Sequence, residues 1–216
     1  MADIIEGPKL AALSCGKPVY LVVLLHGEGG CGQDMADLAL GWAPEMIKAD
    51  FLALEAPFRD AQGQAVWRDP VRPEESFSES AAALDGFLDA QLTQTRLPAS
   101  HLALVGFGEG AELALTVGLR RPQQLAALVG IAGAYRAEAL AEALVSPAPT
   151  LLAHGEDDPV APFAAMLALK EALKARSAPV WSFRRPGLGH SIDAESADAA
   201  GAFLARHVKH QKPDEH

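Results

Sequence analysis

Short apolar runs alternate along this chain with longer segments that are apolar on one side only. The runs 19–25, 51–54, 101–105, 126–131, 150–153 and 180–183 are nearly continuous in hydrophobic residues. Continuous rather than alternating hydrophobicity marks strands covered on both faces, as in a parallel sheet. Between them, 34–40, 76–93, 111–119, 137–144, 163–175 and 194–207 read as helices, and Asp34, Ser76 and Pro162 supply start signals. The β-α alternation predicts an α/β fold: a mostly parallel, doubly wound sheet flanked by helices on both sides. We expect one domain over 1–207 and a flexible polar tail over 208–216. The segment 55–75 breaks the rhythm. It has no clear period, carries Arg59 and Arg72 near its ends and Trp67-Arg68-Asp69 between them, and a loop of that length is usually functional or mobile.

Composition narrows the function. Half of the 216 residues are hydrophobic and 21% are charged, a globular balance. A net charge of -10 supplies no basic footprint for nucleic acid. Cys15 and Cys31 form neither a disulfide framework nor a metal-ligand spacing, which suits a reducing, cytoplasmic setting. The first ten residues lack a basic start and an apolar core, so no secretory signal is expected. No apolar stretch approaches a membrane span, and no metal or cofactor is expected.

Candidate chemistry gathers where predicted strands end, the place where open α/β sheets build their sites. The first strand runs into His26-Gly27-Glu28-Gly29-Gly30, whose backbone N–H groups could hold a developing oxyanion. The third enters Gly106-Phe107-Gly108-Glu109-Gly110, the setting of a G-x-S-x-G nucleophile elbow with glycine in the serine's place. The fifth enters His154-Gly-Glu-Asp-Asp158-Pro159, and the sixth is followed by Gly189-His190. A carboxylate after the fifth strand can orient an imidazole after the sixth. The order elbow, acid, histidine is the α/β-hydrolase order.

With Leu25-His-Gly-Glu-Gly, Asp34, Trp67-Arg-Asp69, Gly106-Phe-Gly-Glu-Gly110, His154-Gly-Glu-Asp-Asp-Pro159 and Gly189-His190 in this order, the chain resembles the phospholipase/carboxylesterase family of small α/β-hydrolases, which includes the acyl-protein thioesterases. The resemblance runs from residue 25 to 190. It implies a compact α/β-hydrolase fold without a large lid domain, acting on or binding a small acyl ester or thioester. The family pattern H-G-x-x-D makes Asp158 the triad acid, ahead of Asp157 or Glu156, and gives His190 the general-base place. Glu28 and Glu109 would supply the oxyanion-hole N–H groups, Gly108 stands where the family has serine, and Trp67 is expected in the core or on the wall of the substrate pocket. The family usually has Gln at 109 and an uncharged residue at 28. Carboxylates there would oppose an oxyanion, and three altered positions around one site look like natural drift.

Other readings compete. His26 and His154 are expected to be structural, and Cys31 is a poor replacement nucleophile, since nothing places it on an elbow. The principal reading is a pseudo-hydrolase or an inactivated form; the alternative is an active esterase whose native residue at 108 is serine. A third has His190 or Glu109 activate water directly. A fourth takes Gly106-x-Gly108-x-x-Ala111 as a dinucleotide fingerprint, against which stand its position deep in the chain and the absence of an acid after the next strand.

Overall fold

Six parallel strands can share one sheet here because nearly every residue they present to either face is apolar. A computed structural model of the chain describes residues 3–209. Its main sheet runs β1 (Ile5–Leu10), β3 (Ala49–Glu55), β2 (Tyr20–Leu25), β6 (Leu102–Phe107), β7 (Ala127–Ile131), β8 (Thr150–Gly155) and β9 (Val180–Arg185). Only β1 is antiparallel to its neighbour. In β2, Leu21, Val23 and Leu25 join one core and Tyr20, Val22 and Leu24 the other. Each such side chain contributes about 1.5–3 kcal/mol on leaving water.

Four helices cover the first face: α2 (Pro73–Thr95), α3 (Glu109–Gly118), α4 (Ala137–Glu142) and α5 (Phe163–Ala175), through residues such as Leu84, Leu113, Leu140 and Leu169. The second face is covered by α1 (Gly32–Leu40) and α6 (Ala194–Lys209), through Met35, Ala39 and Leu204. Among the described residues no helix is long and apolar enough to cross a membrane.

Several expectations need correction. Strand β1 was not expected, because it is a half-exposed edge strand containing Gly7-Pro8 and a register shift between Glu6 and Lys9. The segment 55–75 is not patternless throughout: β4 (Phe58–Arg59) and β5 (Ala65–Val66) form a small hairpin within it. Asp34 does not start α1. It lies in the first turn and accepts the backbone N–H of Cys31 at 3.0 Å, closing a capping box. Ser76 likewise sits inside α2, which begins three residues earlier with Pro73 at its first position. Of the expected tail, residues 210–216 lie outside the described residues.

His26, at the carboxyl end of β2, joins two strand ends. Its Nδ1–H donates to the Gly27 carbonyl at 2.7 Å, and its Nε2 accepts the Ala56 N–H at 3.1 Å, just beyond β3. Both ring nitrogens are thus used in the neutral form. Burial lowers the imidazole pKa, against opposing contributions from the Gly27 carbonyl and Glu55. Below about pH 6.5 the unfolded chain takes up a proton that the folded chain resists, so the unfolded state binds more protons and stability falls as pH falls. The urea midpoint should therefore decrease between pH 7.5 and 5.5, with a shallower decrease in His26→Gln. A wild-type midpoint that stays level over this range contradicts the argument.

Candidate active site

The turn between β6 and α3 is sharp because its glycines allow backbone to pass backbone. An added Cβ at Gly110 would lie 2.6 Å from the Leu25 carbonyl oxygen, and one at Gly106 would lie 2.5 Å from the Ala111 nitrogen. Gly108 is different. It has φ 55 and ψ -121, and an added Cβ would meet nothing closer than His190 Nε2 at 3.3 Å and Gly27 Cα at 3.5 Å. The outer glycines are required by space and the central one chiefly by conformation. The Gly108 N–H donates to the Ile131 carbonyl at 2.9 Å and pins the turn to the end of β7.

Asp158 and His190 come from the loops after β8 and β9, and the structure brings both to this turn. His190 Nδ1 lies 2.8 Å from Asp158 Oδ2. A carboxylate can only accept, so Nδ1 carries a proton, and in the neutral ring Nε2 is the nitrogen with a lone pair facing Gly108. The Asp158 side chain has no solvent exposure. Burial pushes its carboxyl pKa up, but the Ala161 and Val160 N–H groups and His190 outweigh it and hold the group below the usual range. Those two N–H groups reach Oδ1 at 2.9 and 2.8 Å. Asp157 is exposed, and Glu156 pairs with Arg184 at the surface. His154 donates from Nε2 to the Ala161 carbonyl at 2.9 Å and thereby braces the Asp158 loop. The His190 ring also lies against Phe107, with centroids 4.9 Å apart.

The loop after β2 adjoins the same turn. Its Gly30 N–H donates to the Gly27 carbonyl at 3.1 Å, and Glu28 beside it is exposed. Glu109 opens α3, so its N–H is one of the first-turn donors without an intrahelical acceptor. The Glu109 carboxylate, however, is turned aside. Its Oε2 accepts the Trp67 N–H at 2.8 Å and its Oε1 lies 3.7 Å from Arg68 Nη1. Burial raises the Glu109 pKa, opposed by the Trp67 N–H and Arg68 and reinforced by Glu28.

Trp67 is core, not pocket wall. It is wholly buried, donates from Nε1 to the His26 carbonyl at 2.8 Å and accepts the Ser80 hydroxyl at 2.8 Å. It ties the loop after β2 to the start of α3. Sequence reasoning also missed Arg68, whose guanidinium stacks on Phe77 at 3.7 Å and bonds Glu112 at 3.0 Å from Nη1. A second contact joins Arg68 Nη2 to Glu112 at 2.8 Å. The Trp-Arg-Asp triplet inside an unpatterned segment, and a lone glutamate in the apolar run of α3, were the available signals. Cys31 caps α1, its thiol donating to Asp34 at 3.3 Å. Among the described residues no cluster of His, Cys, Asp and Glu could hold a metal ion.

A side chain at 108 must adopt a φ that L-residues avoid, at a cost of about 1–3 kcal/mol, and must move His190 Nε2 by a few tenths of an ångström. Gly108→Ala and Gly108→Ser should each lower Tm, by about 2–4 °C per kcal/mol lost. Gly110→Ala should lower it further, because backbone cannot yield as a side chain can. Thermal melts check this; a Gly108 variant as stable as wild type, or less stable than Gly110→Ala, contradicts it.

Comparison with known proteins bears on the fold and the family. The chain is 27% identical over 218 residues to acyl-protein thioesterase 1 of Eremothecium gossypii, covering 90% of each protein. The crystal structure of esterase PE8 superposes with a TM-score of 0.87 at 32% identity, over 95% of this chain and 99% of that one. Acyl-protein thioesterase 2 of Zea mays shares the fold, with a TM-score of 0.74 at 24% identity over 94% and 99% of the two chains. The phospholipase/carboxylesterase family model matches residues 14–208. With its parallel sheet, its β6–α3 elbow and a match over nearly its whole length, the chain belongs to the phospholipase/carboxylesterase family and has a carboxylesterase- and acyl-thioesterase-type hydrolase scaffold.

Proposed function

We propose that this chain is a pseudo-hydrolase: a single α/β-hydrolase domain that binds a small acyl ester or thioester at the inherited site without forming an acyl-enzyme. The observation that carries this reading is a glycine at the bend faced by a complete Asp158–His190 pair. In the serine-hydrolase reaction a hydroxyl attacks the acyl carbon, an imidazole takes its proton, a carboxylate orients the imidazole, and backbone donors hold the oxyanion. Asp158 fills the carboxylate's role and His190 the imidazole's. The N–H groups of Glu28 and Glu109 serve as the carbonyl-binding donors. Position 108 has no oxygen to form the ester bond. Serine proteases that lose a triad member keep roughly 10³–10⁴-fold over water, so any turnover left here is slight.

The geometry also ranks the other readings. Glu109 is a poor base for water, because its carboxylate is engaged by the Trp67 N–H and Arg68. A dinucleotide pyrophosphate at the elbow would meet the His190 ring over Gly108, with the acidic residues Glu28 and Glu109 close by and no free cation among them, an unfavourable setting for phosphate. The two cysteines are free, which supports a reducing, cytoplasmic setting.

The test is restoration of the oxygen. Wild type should show no labelling by a fluorophosphonate and no acyl adduct by mass spectrometry with p-nitrophenyl acetate, while short acyl esters raise its Tm. Gly108→Ser should be labelled and should hydrolyse the ester, and a further His190→Ala or Asp158→Asn change should remove that activity. An acyl adduct on wild type overturns the proposal. So does a folded Gly108→Ser variant that neither labels nor turns over, since the site would then lack more than one atom. In the Gly108→Ser background, Glu109→Gln keeps an acceptor for the Trp67 N–H and removes a charge near the oxyanion. It should raise kcat by a few-fold; a fall in kcat would show that the carboxylate helps.

A further inference from the structure

On the first face of the sheet, α2, α3 and α4 enclose a cavity of about 420 Å³ that contains neither Gly108, Asp158 nor His190. Its volume falls in the roughly 300–1,000 Å³ range of small-ligand clefts. The floor is apolar, formed by Phe77, Ala81, Val117 and Leu140, and alanines at 81, 82 and 139 leave the space open.

The lining carries three carboxylates and three guanidiniums, but they do not all pair with one another. Glu74 pairs with Arg136 at 2.5 Å, Glu112 is held by Arg68, and Asp85 is held by Arg121. Every acid lining the cavity therefore has a guanidinium partner. Arg120 also lines it and is exposed, and among the described residues no carboxylate pairs with it. Arg121 beside it is 4% exposed and uses its two terminal nitrogens on Asp85 and Asp89, leaving a buried Nε–H without an acceptor. One free guanidinium, that of Arg120, thus stands beside an apolar lining. A carboxylate bound there would form a charge-assisted bond to Arg120.

We propose that this cavity is a second ligand site, separate from the elbow, that binds a medium-chain carboxylate with its headgroup at Arg120 and its alkyl chain on Phe77, Val117 and Leu140. Neutral amphiphiles would lack the headgroup contact, and cationic ones would be repelled by Arg120.

Isothermal titration of the full chain with decanoate, below its micelle concentration, tests the proposal, with decanol and decylamine as headgroup controls. Decanoate should bind, and both controls should bind more weakly. Arg120→Ala, at an exposed position, should weaken decanoate by about tenfold. Ala81→Phe should abolish binding by filling the cavity, with a thermal melt to show that the variant is folded. His190→Ala should leave decanoate affinity unchanged. No decanoate binding overturns the proposal, as does binding indifferent to Arg120→Ala. Loss of binding in His190→Ala would place the ligand at the elbow and overturn it equally. These outcomes are independent of whether Gly108→Ser regains hydrolysis, so the two proposals fail separately.

Discussion

The hydrogen bond from His190 to Asp158 is the constraint on which the site depends. It joins two loops that leave neighbouring strands, fixes which ring nitrogen carries the proton, and aims the other at the bend below. Its strength comes from burial as much as contact. Asp158 is shielded from water and receives two backbone N–H groups as well as the imidazole, so the carboxylate stays ionised where an unpaired charge would be costly. His154 stiffens the same loop through Ala161. The assembly that would activate a hydroxyl is therefore built and braced, although the residue beneath it has none.

The elbow keeps its shape with glycine at its centre. The flanking glycines are fixed by backbone contact, whereas the central position carries a torsional penalty that glycine relieves. A serine at this position would carry the strain that glycine avoids. Nearby, the carboxylate of Glu109 is tolerated because Trp67 and Arg68 accept it into a network that continues through Glu112 to Arg136. Removing one member of a buried ionic network leaves an uncompensated charge, so these residues are held to one another more than to any chemistry.

Much of this was legible before any coordinates. The parallel strands were visible because burial on both faces leaves unbroken apolar runs, and Asp158 and His190 because their motifs fall at strand ends. Strand β1 was hidden by its exposed edge and its Gly7-Pro8 pair, and β4 and β5 by being two residues long. The choice between core and pocket wall for Trp67 stays open in the sequence for a different reason. Its burial is set by partners far along the chain, His26 and Glu109, and no local pattern reports a bond across some forty residues. The Arg68–Glu112 pair was invisible for the same reason.

The central claim is spatial: position 108 lies under His190 Nε2, so that one oxygen completes the machine. A crystal structure of Gly108→Ser carrying a phosphonate adduct measures this directly. The account predicts the serine Oγ within about 2.6–3.2 Å of Nε2, with the phosphonyl oxygen on the Glu28 and Glu109 N–H groups and the turn unchanged. A serine rotated away from an undisturbed His190, or a phosphonyl oxygen pointing to solvent, would contradict it.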